Sequence, residues 1–154
     1  MATIAAGCGS PAARSATPRK APATPLITAD TWALPAVSGP PSTANFCTLL
    51  VATYTHEGRL PFARDQKVRE EMVADYVRAE PRVAAAAPPQ IAPAARTYLG
   101  AVAGILADMD RAGLDAKKVP HGSLGPYLLD PRVTAAGDQV LAFSQNYCHY
   151  TIGG

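Results

Sequence analysis

Residues 130–150 read DPRVTAAGDQVLAFSQNYCHY, and the reading of this stretch decides how the rest of the chain is organised. Val133, Ala136, Val140, Phe143 and Tyr147 recur at the three- and four-residue spacing of a single helix face. Asp130-Pro131 opens the helix with an N-cap and a first-turn proline, whose missing N–H would be unpaired there anyway. Cys148 stands near the end of this segment, and Cys47 stands far upstream in the first periodic segment. The expectation is a Cys47–Cys148 disulfide that ties the last helix to the first. Two buried free thiols are the alternative. Such a bond would close a loop of about 100 residues, for which chain entropy alone gives about 4.7 kcal/mol. The start of the first helix would then lie beside the end of the last, and the two would run antiparallel if they pack along their lengths.

Working upstream, Ser42 or Thr43 caps a first helix after Pro40-Pro41, with Phe46, Cys47, Leu50, Val51 and Tyr54 facing inward and Gly58 ending it. A second helix is expected over Asp65–Ala79, with Val68, Met72, Val73, Tyr76 and Val77 as its buried stripe and a Lys67–Glu71 pair outside. Pro81 is expected to interrupt it, leaving Arg82–Ala87 as a short helical turn. Pro88-Pro89 suits the first turn of a third helix running to about Ala112, with Ile91, Leu99, Val102, Ile105, Leu106 and Met109 inward and Gly113 as its cap. Gly100 and Gly104 would let another helix approach closely. The connection from Leu114 to Leu129 has room for one short helix near Leu124–Leu129. No run alternates apolar and polar residues with β-branched enrichment. The fold class is therefore all-α: an antiparallel bundle of about four helices over 42–154, closed by one disulfide.

Residues 9–41 are of another kind. Prolines at 11, 18, 22, 25, 35, 40 and 41, among Ala, Ser and Thr, favour polyproline II and a semi-rigid tether. Fully extended it reaches on the order of 100 Å. Trp32 interrupts it, with Leu34 and Val37 nearby. Trp32 has two readings: it folds back over an apolar groove of the domain, or it anchors a partner, since aromatics are enriched at hot spots.

The net charge of +2 resides in this front segment, where Arg14, Arg19 and Lys20 face Asp30; from Ser42 onward basic and acidic residues cancel. A neutral domain has no basic stripe for phosphates, so nucleic acid is not an expected partner. No cofactor, metal site or catalytic residue is expected either. His56, His121 and His149 lack ligand spacing, and an antiparallel pair of terminal helices keeps His56 away from His149. They are expected to face solvent at helix ends and loops. His121-Gly122-Ser123-Leu124-Gly125 lacks the first glycine and the preceding strand of a nucleophile elbow. Asp108 and Asp110 diverge on a helix, and Glu70 and Glu71 belong to a solvated face. The tyrosines at 54, 76, 98, 127, 147 and 150 are expected to line the core with their hydroxyls at its edge.

Cys8 has a different setting. Ile4-Ala5-Ala6-Gly7-Cys8 resembles a bacterial lipobox, in which small residues precede a cysteine that is lipidated and becomes the mature N-terminus. Only seven residues precede Cys8, so either residues 1–8 are the end of a signal segment whose start lies upstream of Met1, or Cys8 is a solitary thiol in a flexible tail; the first is the expectation. With Cys8 lipidated, the odd cysteine count resolves and Cys47 and Cys148 pair without remainder.

This cysteine, the Ala/Pro-rich tether, Phe46-Cys47 opening a helical domain, Ala86-Ala87-Pro88-Pro89-Gln90-Ile91 at a helix junction and Tyr147-Cys148 at its close together resemble small actinobacterial exported Ala-rich helical lipoproteins. The resemblance covers nearly the whole chain and its motifs are architectural. It implies an extracytoplasmic, lipid-anchored or secreted location and carries over no catalytic residue. The functional expectation is a non-enzymatic cell-envelope protein that binds a protein or envelope component. The alternative is a carrier of a small apolar ligand, a lipid or haem, held between helices.

Overall fold

The computed structural model describes residues 32–60, 63, 65–115, 117–120 and 122–152. These hold five α-helices: α1 (Thr43–Glu57), α2 (Gln66–Ala86), α3 (Ala92–Arg111), α4 (Gly125–Leu128) and α5 (Pro131–Phe143). A π-helical turn, Ser144–Cys148, continues α5. No β-strand occurs among the described residues, and none of their helices is long and apolar enough to cross a membrane.

The three long starts follow local chemistry. Ser42 caps α1 by accepting from the Asn45 N–H at 3.2 Å. Asp65 caps α2 through the Lys67 and Val68 N–H groups at 2.8 and 3.3 Å, and Asp130 caps α5 through Arg132 at 2.8 Å. At the far end of α3 the Gly113 N–H donates to Asp110 O and the Leu114 N–H to Met109 O, both at 2.8 Å. Gly113 takes φ +63° there, completing a Schellman close.

The helices pack in sequence order: α1 on α2, α2 on α3, α3 on α5, with α4 bridging α3 and α5. Phe46, Leu50, Tyr76, Val83, Leu99, Val140 and Phe143 form the centre of a single core. Alanines 79, 84, 94, 95, 101 and 136 are buried among them, where short side chains let the helices come together. Cys47 and Cys148 are bonded, with their Cα atoms 5.1 Å apart. The first helix meets the last chiefly at this end, through the π turn and an edge-on Phe46–Phe143 contact at 5.7 Å, rather than along their lengths.

Four details differ from the sequence reading. Helix α2 passes through Pro81 instead of stopping before it. Pro81 lies on the exposed side, and Ala79, Glu80, Val83 and Ala84, buried on either side of it, hold the helix together across the lost hydrogen bond. Pro88-Pro89 form a turn before α3, closed by the Ile91 and Ala92 N–H groups on Pro88 O at 3.0 Å, and Pro93 takes the first-turn position. The inward face of α1 is Phe46, Leu49, Leu50, Thr53 and Tyr54, one step round from that expected, leaving Cys47 and Val51 half-buried. In the π turn an extra residue per turn shifts the phase of the last segment. Ser144 is buried there, while Tyr147 is 61% exposed and stacks on Phe143 at 4.6 Å.

Gly104 also has a different role. Gly100 faces open space, whereas a Cβ at Gly104 would sit 2.6 Å from Cζ of Tyr127. The glycine receives the Tyr127 ring and so seats α4. Gly104→Ala is therefore expected to destabilise the domain by up to about 1 kcal/mol, because the outer end of the half-buried Tyr127 ring has to move aside. In a Tyr127→Ala background the same change is expected to be neutral or stabilising, by up to about 1 kcal/mol of helix propensity. Urea unfolding of the four proteins checks the change of sign.

Candidate functional site

Polar residues gather in one seam between α1 and α2, and its placement follows from helix periodicity. Tyr54, His56 and Glu57 come from the last turn of α1; Asp75, Tyr76 and Glu80 come from the middle of α2; Tyr98 reaches in from α3. Tyr76 and Glu80, four apart, lie on the same buried stripe as Val73 and Val83.

The inner part of the seam is closed to water. Glu80 is only 2% exposed, and neither carboxylate oxygen completes a hydrogen bond. The Tyr54 and Tyr76 rings meet edge to face at 5.8 Å, and their buried hydroxyls also lack a partner of regular geometry. The expectation that tyrosine hydroxyls sit at the edge of the core therefore fails for these two. Burial pushes the Glu80 carboxyl up to about 8; the nearby Tyr76 hydroxyl offsets this in part, and Glu57, a like charge, adds to it. Burial likewise raises Glu57, Tyr98, Tyr54 and Tyr76, the last two far above the ordinary phenol range. At neutral pH the cluster thus holds a proton on Glu80, a state that burial without a countercharge produces.

The outer part is formed by His56, Trp32 and Asp75. His56 is 8% exposed, not solvent-facing as its position at a helix end suggests. The half-buried Trp32 indole lies flat on its imidazole, with centroids 4.3 Å apart and planes 8° from parallel. His56 Nε2 stands 3.8 Å from Asp75 Oδ2, beyond hydrogen-bond reach, and is a buried nitrogen without a partner. Asp75 also pairs with Arg78. Burial lowers the His56 pKa; Asp75 opposes this and Arg59 adds to it.

Trp32 folds back onto the domain, but onto the His56 imidazole rather than over the apolar groove expected of it. His149 is exposed and left-handed (φ 52°) at the end of the π turn, next to Cys148. Asp108 pairs with Arg111 along its own helix, Lys67 with Glu71 at 3.9 Å, and Glu70 accepts from Gln66 at 2.8 Å. No group of three or more His, Cys, Asp or Glu side chains able to hold a metal occurs among the described residues. Cys8 and His121 lie outside the described residues.

Glu80 and the buried state of His56 escape a reading that ends the second helix at Ala79. Continuing the stripe of Val73 and Tyr76 past Pro81 to Val83 would have placed Glu80 inside. Two surface features also carry no obvious sequence signal: Leu128 and Leu129 of the α4 region are largely exposed, at 60% and 82%. An open groove of about 270 Å³ lies between the incoming segment and α2, lined by Val37, Pro41, Asn45, Leu49, Arg82 and Ala86 among others. Compared with protein-family models, curated proteins and solved structures, the chain matches none.

Proposed function

We propose that the chain is an exported, non-enzymatic helical domain displayed on a Pro/Ala-rich tether, anchored by lipid on Cys8, that binds a protein or another component of the cell envelope. The observation that carries this reading is the Cys47–Cys148 bond. Disulfides persist in oxidising compartments and are rare in reducing ones, so a half-buried bond joining the two ends of the domain supports an extracytoplasmic location. The lipobox-like run before Cys8 supports the anchor, and the long Pro-rich segment suits a spacer between membrane and domain.

Binding is favoured over an apolar-ligand carrier because the tyrosines that would rim a cavity pack against one another instead, Tyr54 on Tyr76. Expression of the gene with its native upstream DNA tests the reading. The expected result is a protein in the membrane fraction that incorporates a fatty-acid probe, with the probe lost and the protein released in Cys8→Ala. Thiol labelling should find Cys47 and Cys148 blocked. A cytosolic protein with both thiols free would overturn the location and the function together.

A further inference from the structure

The root of the tether is held to the domain in two ways that respond differently to acid. Residues beyond Trp32 are held by groups that do not titrate. Leu34 and Val37 pack against the core, the Asn45 side chain donates to the carbonyls of Ser38 and Pro40 at 3.0 and 3.1 Å, and the Ser42 N–H donates to Ala86 O at 3.1 Å. Trp32 lies instead on the His56 imidazole, and its indole is part of what shields His56 from water.

We propose that the Trp32–His56 stack is an acid-released latch, holding Trp32 flat on the α1–α2 seam when the imidazole is neutral and letting it lift when the imidazole is charged.

The geometry makes the neutral form the one that fits. The buried Nε2 has no hydrogen-bond partner, and Asp75, the nearest carboxylate, is out of hydrogen-bond reach and already shared with Arg78. The charged and titratable groups around His56 among the described residues are Asp75 and Arg78 from α2, Arg59 from the turn after α1 and Glu57 beside it on α1. Asp75 alone is identified as favouring the charged imidazole; burial, the larger effect, and Arg59 oppose it. The sign follows from linkage. A histidine whose pKa is lower with the indole in place binds fewer protons in the docked state, so acidification below about 6.5 shifts the population toward the undocked one. A cation–π contact between an imidazolium and the indole would act the other way and would show as protection that increases on acidification. Release would free the one tryptophan of the chain for a partner, while the residues after it stay docked.

Because Trp32 is the sole tryptophan, every tryptophan signal from the full chain reports on the latch. Lifetime quenching by acrylamide, which is insensitive to static quenching by the neighbouring imidazolium, is followed from about pH 8 to about pH 5, with far-UV circular dichroism confirming an intact fold. The expected result is an accessible indole at the acid end in the wild type and a protected one throughout in His56→Phe, which keeps an aromatic face without a proton to gain. A flat profile, protection that increases on acidification, or the same rise in His56→Phe overturns the proposal. A second measurement does not depend on that variant. In Trp32→Ala, removal of the cover is expected to raise the His56 pKa, read from its imidazole resonances; an unchanged or lower value overturns the latch.

Discussion

Reducing the Cys47–Cys148 bond, or replacing both residues in a Cys47→Ala/Cys148→Ala variant, is expected to lower the free energy of unfolding by up to about 4.7 kcal/mol. The residues are 101 apart in sequence, so the bond removes a large share of the conformations open to the unfolded chain. The native state loses less. Phe46 still meets Phe143 across the same junction, and each helix keeps its own neighbour in the core. The released part is the π turn and the residues after it, where the Ser144 hydroxyl donates to the Tyr150 carbonyl and Tyr150 and Ile152 lie against the core. Urea unfolding with and without a phosphine reductant checks this. The wild-type midpoint should fall on reduction to near that of the double variant, while the variant itself ignores the reductant. Because the net stability of small domains is only about 5–15 kcal/mol, the loss should be plain in any thermal scan. A change under about 1 kcal/mol would mean that the unfolded chain retains structure that keeps the two ends close without the bond.

Glu80→Gln is expected to stabilise the domain, by a margin that grows with pH. The folded-state pKa of Glu80 is raised from 4.5 to about 8 by burial, so between these values the folded protein binds a proton that the unfolded chain gives up. Stability therefore falls as pH rises through that window, and the full cost is present above about 8. Glutamine keeps the shape and removes the ionisation. Near pH 4.5 and below, the two proteins should unfold at similar urea concentrations, and by about pH 9 the variant should be ahead by on the order of 4 kcal/mol. The His56 shift runs the other way: its contribution is present above the ordinary histidine pKa and is lost as pH falls. Comparing wild type with Glu80→Gln at each pH cancels that contribution. A pH-independent difference would show that Glu80 is ionised and accommodated in the folded state. A buried carboxyl without a countercharge is costly, and such groups cluster at functional positions, which makes this variant informative in a binding assay as well.

Much of the architecture was legible because it rests on local rules. Ser42, Asp65 and Asp130 are caps by side-chain chemistry alone, and each begins the helix it announces. The disulfide followed from counting cysteines and assigning Cys8 a different setting. The illegible parts depend on neighbours. Pro81 breaks an isolated helix, but here the buried residues flanking it outweigh one lost hydrogen bond, and with that boundary misplaced Glu80 could not be seen as interior. Tyr147 keeps the right spacing for the core face, yet the π turn rotates it out. His56 belongs on a helix end by sequence and is covered in part by Trp32, two dozen residues earlier, which folds onto it. Gly104 announces close approach but not the group that approaches, and its visitor is a tyrosine ring rather than a helix.

The bond between residues 47 and 148 has a mechanical consequence. It makes a covalent ring of residues 47–148, which among the described residues leaves outside the segment 32–42, the first turn of α1 and the residues after Cys148. A force drawing the residues before Cys47 away from those after Cys148 would first pull on Phe46 in the core and on Tyr150 and Ile152 against it, and then be borne by the sulfur–sulfur bond, so the helices inside the ring could not be drawn out. Protease cuts in a loop within the ring would likewise leave one covalently connected molecule. A domain closed in this way could be pulled from its ends or nicked and still stay in one piece.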